Sequence, residues 1–159
     1  MDLIIESLST ACLYNNSDLA KSIIIQNKHI DFDWSEILSD SCISGNLDLV
    51  KFIADNGSDF DFNQAIFNAC SYGFLHITEF LIDKCYEFDW NNLFIVSCKS
   101  GNLNLVIFII NNSTENFLDL FYQFKNFFTA FIASPDCSIE ISNFPFFVGL
   151  NPTVPDGLA

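Results

Sequence analysis

The sequence predicts an all-α protein, a solenoid of helical hairpins stacked side by side, with no sheet. Three observations carry that reading. An acidic-aromatic quartet recurs every 28 residues, as DFDW at 31–34, DFDF at 59–62 and EFDW at 87–90. Cys42, Cys70 and Cys98 keep the same spacing, as do Gly45, Gly73 and Gly101, Leu47, Leu75 and Leu103, and Phe52, Phe80 and Phe108. Between successive quartets lie two short runs of helical period divided by a glycine. A fixed period of this size marks a repeat architecture, in which each unit buries its apolar face only against its neighbours.

The copies follow one plan along the chain. The first, CLYNNSDLAKSIIIQNKHIDFDW from Cys12, is two residues longer in the turn before its quartet, and Asn15 stands where later copies have glycine. Asparagine is the next best residue for a left-handed backbone. In the second, CISGNLDLVKFIADNGSDFDF from Cys42, Gly45 ends an inner helix, and apolar residues at 47, 49, 50, 52 and 53 give the outer helix a broad buried face. Asn56-Gly57 then turns the chain toward the next quartet. The third and fourth copies are CSYGFLHITEFLIDKCYEFDW from Cys70 and CKSGNLNLVIFIINN from Cys98. Ser35, Asn63 and Asn91 follow the quartets and read as N-caps of the inner helices. Lys21, Lys51 and Glu79 share one outer-helix position and are expected to face water. Ile107 holds that position in the fourth copy, so an apolar cover is expected there.

The expected organisation is four helix pairs over 1–112 (units 3–34, 35–62, 63–90 and 91–112), followed by a degenerate capping half-repeat helix over 113–133. The cap series continues by 28 to Asp119, and Phe121, Phe124, Phe128 and Phe131 form one helical stripe. Pro135, Pro145, Pro152 and Pro155 make 134–159 an irregular tail.

The run G-x-L-x-[LI]-V-x-F-[IL], closing on an acidic turn, resembles the second half of the ankyrin repeat over residues 3 to 112. Two departures shape what the resemblance implies. The family's period is about 33 residues, and the T-P-L-H tetrad is replaced by Gln64-Ala65-Ile66-Phe67 and Asn92-Leu93-Phe94-Ile95. The missing residues fall where the family carries its β-hairpin finger, so trimmed or absent fingers are expected. The resemblance implies a non-catalytic scaffold that binds another protein on the concave face of its inner helices. The pairs before each glycine would make the contacts: Tyr14, Ile43, Ser44, Ser71, Tyr72, Lys99 and Ser100 are the candidate partner-binding residues. Aromatic anchors dominate such interfaces. A second reading is a self-assembly or membrane-peripheral module acting through the Phe-rich helix.

The quartets read as connectors, their aromatics over the seams between units and their acids near helix N-termini, where the macrodipole favours negative charge. A calcium loop fits poorly. From Asp59 the glycine required at the sixth position is Gln64, and the glutamate at the twelfth is Cys70. No metal and no cofactor are expected.

With 6 Lys plus Arg against 20 Asp plus Glu, the net charge is −14. Nucleic-acid binding needs clustered cations and is excluded; a basic protein partner suits the surface. The same charge repels anionic membranes. The acidic start lacks a secretory leader's basic region, and the apolar run 103–110 is too short to cross a bilayer. A cytoplasmic setting with reduced cysteines is expected. No C-x-x-C pair occurs, and equivalent cysteines one helix-packing distance apart, about 8–10 Å, exceed disulfide reach. Cys12, Cys42, Cys70 and Cys98 therefore read as small buried hydrophobes, with Cys85 partly exposed and Cys137 in the tail. His29 and His76 are isolated, and no Gly-rich phosphate loop appears, so no enzyme signature is present.

Overall fold

In the computed structural model, which describes residues 2–85, 87 and 89–113, the chain forms eight helices and, among those residues, no strand. They are α1 (Asp2–Leu13), α2 (Ser17–Gln26), α3 (Trp34–Ile43), α4 (Leu47–Asn56), α5 (Phe62–Ser71), α6 (Leu75–Ile82), α7 (Trp90–Ser100) and α8 (Leu103–Asn112). Each odd helix packs on the even helix that follows it. Odd helices also pack extensively on one another, α1 on α3, α3 on α5 and α5 on α7, whereas even helices touch their neighbours sparingly. The result is two layers, with the odd layer the more closely packed.

Every inner helix ends on a left-handed residue: Asn15 at φ 58°, Gly45 at 74°, Gly73 at 77° and Gly101 at 75°. Reversing the chain within two residues requires this conformation, which costs a residue with a Cβ more than it costs glycine. Equivalent positions then fill the core, Leu8, Leu38, Ile66 and Phe94 on odd helices and Ile53, Leu81 and Ile109 on even ones, all within 1% of full burial. Burying one such side chain stabilises by about 1.5–3 kcal/mol. The equivalent Cys12, Cys42, Cys70 and Cys98 are buried beside them. Burial pushes the Cys12 and Cys42 thiols up to about 12 and that of Cys70 to about 11. As thiols they pack as inert apolar groups.

The inner helices begin earlier than the sequence reading placed them. Their N-caps are Asp33, Asp61 and Asp89, the second acid of each quartet, and not Ser35, Asn63 and Asn91. These carboxylates accept hydrogen bonds from the backbone N–H of Glu36 at 3.1 Å, Asn63 at 3.0 Å and Asn92 at 3.0 Å. An ionised acceptor gains both the cap bond and the attraction of the macrodipole, so it outcompetes a nearby hydroxyl or amide. Ser35 serves the next unit instead, its hydroxyl oxygen accepting from the Asp61 N–H at 2.9 Å.

A second finding concerns Gly57 of the turn toward the quartet, which is extended (φ −100°, ψ 178°). The positive φ falls on Asp59, at 55°. Glycine is needed at 57 for space, because a Cβ there would lie 2.6 Å from the Trp34 and Phe60 rings. Aromatics of two successive quartets thus close over one point of the seam. Phe32 packs edge-on against Trp34 at 5.4 Å, and Phe60 tilts on Phe62 at 5.3 Å.

A third concerns the position expected to face water. Lys51 is exposed, but Lys21 and Glu79 are half-buried. The Lys21 ammonium lies 5.6 Å from the centre of the Phe52 ring one unit on, and Lys51 repeats this over Phe80 at 5.7 Å. Ile107 is half-buried against the core. The capping helix expected over 113–133, with Asp119 and the Phe stripe, lies beyond Ser113 and outside the described residues, as do the tail and Cys137. No helix among the described residues is long and apolar enough to cross a membrane.

Candidate functional site

The solvent-facing surface of the odd helices and the loops that follow them carry all seven sequence-predicted residues. Tyr14, Ser44, Tyr72 and Ser100 occupy one position in successive units. The tyrosines project, 80% and 56% exposed. The serines do not, because the Ser44 hydroxyl donates to the Ser41 carbonyl and that of Ser100 to the Ser97 carbonyl, both at 2.7 Å. Ser71 is likewise spent on the Phe67 carbonyl at 2.8 Å. Ile43 is half-buried and Lys99 exposed. The seven form a row along the stack, not one pocket.

Three apolar residues join this surface that the sequence reading did not single out. Leu3 and Leu19, 74% and 45% exposed, flank Tyr14 in a groove of about 400 Å³ whose polar lining includes Glu6, Ser7 and Thr10. Nothing in the repeat pattern marks them, since their exposure follows from their place at the first unit. The third is Phe74. Asn16, Asn46 and Asn102 cap the even helices by accepting from the N–H of Leu19, Leu49 and Leu105. Two of them also reach back a unit, Asn46 donating to Asn15 Oδ1 and Asn102 to the Gly73 carbonyl, both at 2.7 Å. Phe74 holds this position before α6 and makes no side-chain cap. Its ring covers Gly45, where a Cβ would meet it at 2.6 Å, and stacks on Tyr72 at 6.2 Å with planes 7° apart. The break in the asparagine series was the available sequence signal.

The seams between inner helices change character along the stack. Between α1 and α3 the Ser9 hydroxyl donates to Asp40 Oδ2, and between α3 and α5 the Asn68 amide donates to Ser39 Oγ at 2.8 Å. The same two positions between α5 and α7 are Phe67 and Val96, whose side chains cannot form that bridge. Toward the N-termini of α5 and α7 this third seam opens into a cleft of about 150 Å³ lined by Asn63, Ile66, Phe67, Asp89, Asn92 and Leu93.

Compared with known proteins, residues 38–119, just over half of the chain, match a sequence model described as ankyrin repeats in three copies. No curated protein and no solved structure matches the chain.

Proposed function

The chain belongs to the ankyrin-repeat family, whose repeats generally mediate protein–protein interaction, and from that premise we propose that it is a non-catalytic scaffold holding a partner protein against the exposed face of its inner helices. One observation carries the choice of face. Phe74 forgoes a cap that its three counterparts make, a loss of about 0.5–2 kcal/mol, and with Tyr72 forms a part-exposed aromatic pair. Departures from a local rule collect at functional positions, and rigid aromatics are the usual anchors of an interface. Tyr14 repeats the anchor two units away. A net charge of −14 favours a basic partner, and the inert buried thiols suit a reducing cytoplasmic setting.

Partner capture on the immobilised full chain tests this. Tyr72→Ala and Tyr14→Ala, both at exposed positions, should each weaken recovery about tenfold, as expected for anchors contributing more than about 1 kcal/mol. Asp55→Ala, exposed on the outer helix α4, should leave it unchanged. Equal recovery by all three variants would move the partner to another face.

A further inference from the structure

We propose that the cleft between α5 and α7 receives a lysine or arginine side chain from a basic partner segment in polyproline-II conformation. The proposal rests on the interaction-scaffold reading and names what one part of that face recognises.

The cleft's volume of about 150 Å³ suits one long side chain. Its floor is apolar, with Ile66 and Leu93 within 5% of full burial and Phe67 partly buried. At the rim stand the Asp89 carboxylate and the amides of Asn63 and Asn92, all three residues exposed. A long aliphatic stem with a cationic head fits that division, since such side chains lay their methylenes on apolar surface and keep the charge at a polar edge. Guanidinium would add stacking on the Phe67 ring, ammonium a point charge. The Asn92 N–H occupies only Oδ1 of Asp89, leaving the second oxygen to accept from the ligand. Phe67, which lines the cleft, and Val96 stand at this seam where the two earlier seams carry a polar bridge.

The conformation of the segment follows from the repeat. Asp33, Asp61 and Asp89 are exposed cap carboxylates at equivalent positions of successive units. Packed helices step by about 8–10 Å. A polyproline-II chain has three residues per turn and rises about 3.1 Å per residue, so every third side chain lies on one edge about 9 Å from the last. Cations at every third residue would therefore meet successive carboxylates, with one head group seated in the cleft.

The test uses synthetic peptides and the full chain. Three peptides carry, at every third residue with prolines between, lysine, arginine, or lysine with norleucine replacing the cation that faces Asp89 at the end of the row. A fourth has the same number of lysines at every second residue. Binding is read by fluorescence anisotropy. Asp89→Asn is the informative variant, because asparagine keeps an acceptor for the cap hydrogen bond while removing the charge, so helicity should be preserved. The third-residue lysine or arginine peptide should bind at least tenfold tighter than the second-residue peptide, and Asp89→Asn should remove about tenfold. The norleucine peptide should lose a similar factor on the wild-type chain and little more on Asp89→Asn, since the two changes remove one interaction. Whichever of lysine and arginine binds tighter identifies the preferred head group. Equal affinity for both spacings, or additive losses, would reduce the binding to unspecific charge attraction and overturn the proposal. If those losses are additive while Tyr72→Ala still weakens capture of the cellular partner, the cleft is wrong and the interaction face stands. Indifference to both substitutions removes the two together.

Discussion

Asp40 shows how one residue couples the seam between units to pH. Burial pushes its carboxyl above the ordinary value of 3.8, against the smaller lowering effect of the Ser9 hydrogen bond. The native chain therefore holds this proton more tightly than the unfolded chain does. Stability tied to Asp40 is full below the ordinary value, where both states are protonated, and is lost as pH rises through the native value. At neutral pH the ionised group is a cost, reduced by solvent because Asp40 is only half-buried. Asparagine keeps an acceptor for Ser9 and removes the charge. Asp40→Asn should raise the melting temperature at pH 7 by about 1–4 °C, a sub-kcal/mol effect in a domain of this size. By pH 3.5 the two chains should melt together. Thermal melts at both values check this, and a gain that persists in acid would trace the effect to packing and not to charge.

At the scale of helices, the outer layer carries a ladder with one rung reversed. Lys21 lies over Phe52 and Lys51 over Phe80. The repeat puts Glu79 opposite Phe108 at the next step, and a carboxylate gains nothing from the negative face of a ring. Glu79 turns instead to His76 at 3.1 Å, with side chains 44% and 80% exposed. An exposed pair of this kind contributes little. Glu79→Lys should build the missing rung and stabilise by about 0.5–1 kcal/mol, read as a higher urea midpoint with unchanged slope. A lower midpoint would show that the His76 pair outweighs the ring contact. The helices themselves were legible because spacing constrains many residue types at once: glycine, cysteine, leucine and phenylalanine kept the same period. Their first residues were not. Asp33 and Ser35, or Asp89 and Asn91, are both good caps two residues apart, and the aromatic between them reads as linker although it is the first helical residue. Only the hydrogen-bond geometry separates the two. The tyrosine row was legible from its place before each glycine, whereas the third-seam cleft needs the comparison of three seams, Ser9 with Asp40, Ser39 with Asn68 and Phe67 with Val96, that spacing alone does not prompt.

The whole molecule is governed by a charge of −14 on a stack whose repetition lines like charges up. Exposed Asp31, Asp33, Asp59, Asp61, Glu87 and Asp89 recur with the connectors, so each acidic patch faces another one unit away. That separation, about 8–10 Å, is well inside the Debye length of about 30 Å at 0.01 M salt and well outside the 3 Å at 1 M. Repulsion along the row is therefore felt in dilute buffer and screened in concentrated salt. The attraction of each cap aspartate to its own helix acts through a hydrogen bond of about 3 Å, a contact that screening reaches less. Raising sodium chloride from 0.01 M to 1 M should accordingly raise the melting temperature by several degrees, since the screened term is the unfavourable one. The same salt should weaken a basic partner, whose attraction spans the separation that salt removes. Stability and binding then respond to ionic strength with opposite sign. Parallel melts and anisotropy titrations across that range measure both. A melting temperature that falls with salt would mean that the charges at the helix ends contribute more through the macrodipole than they lose to one another, and the connector acids would then be stabilising as a group.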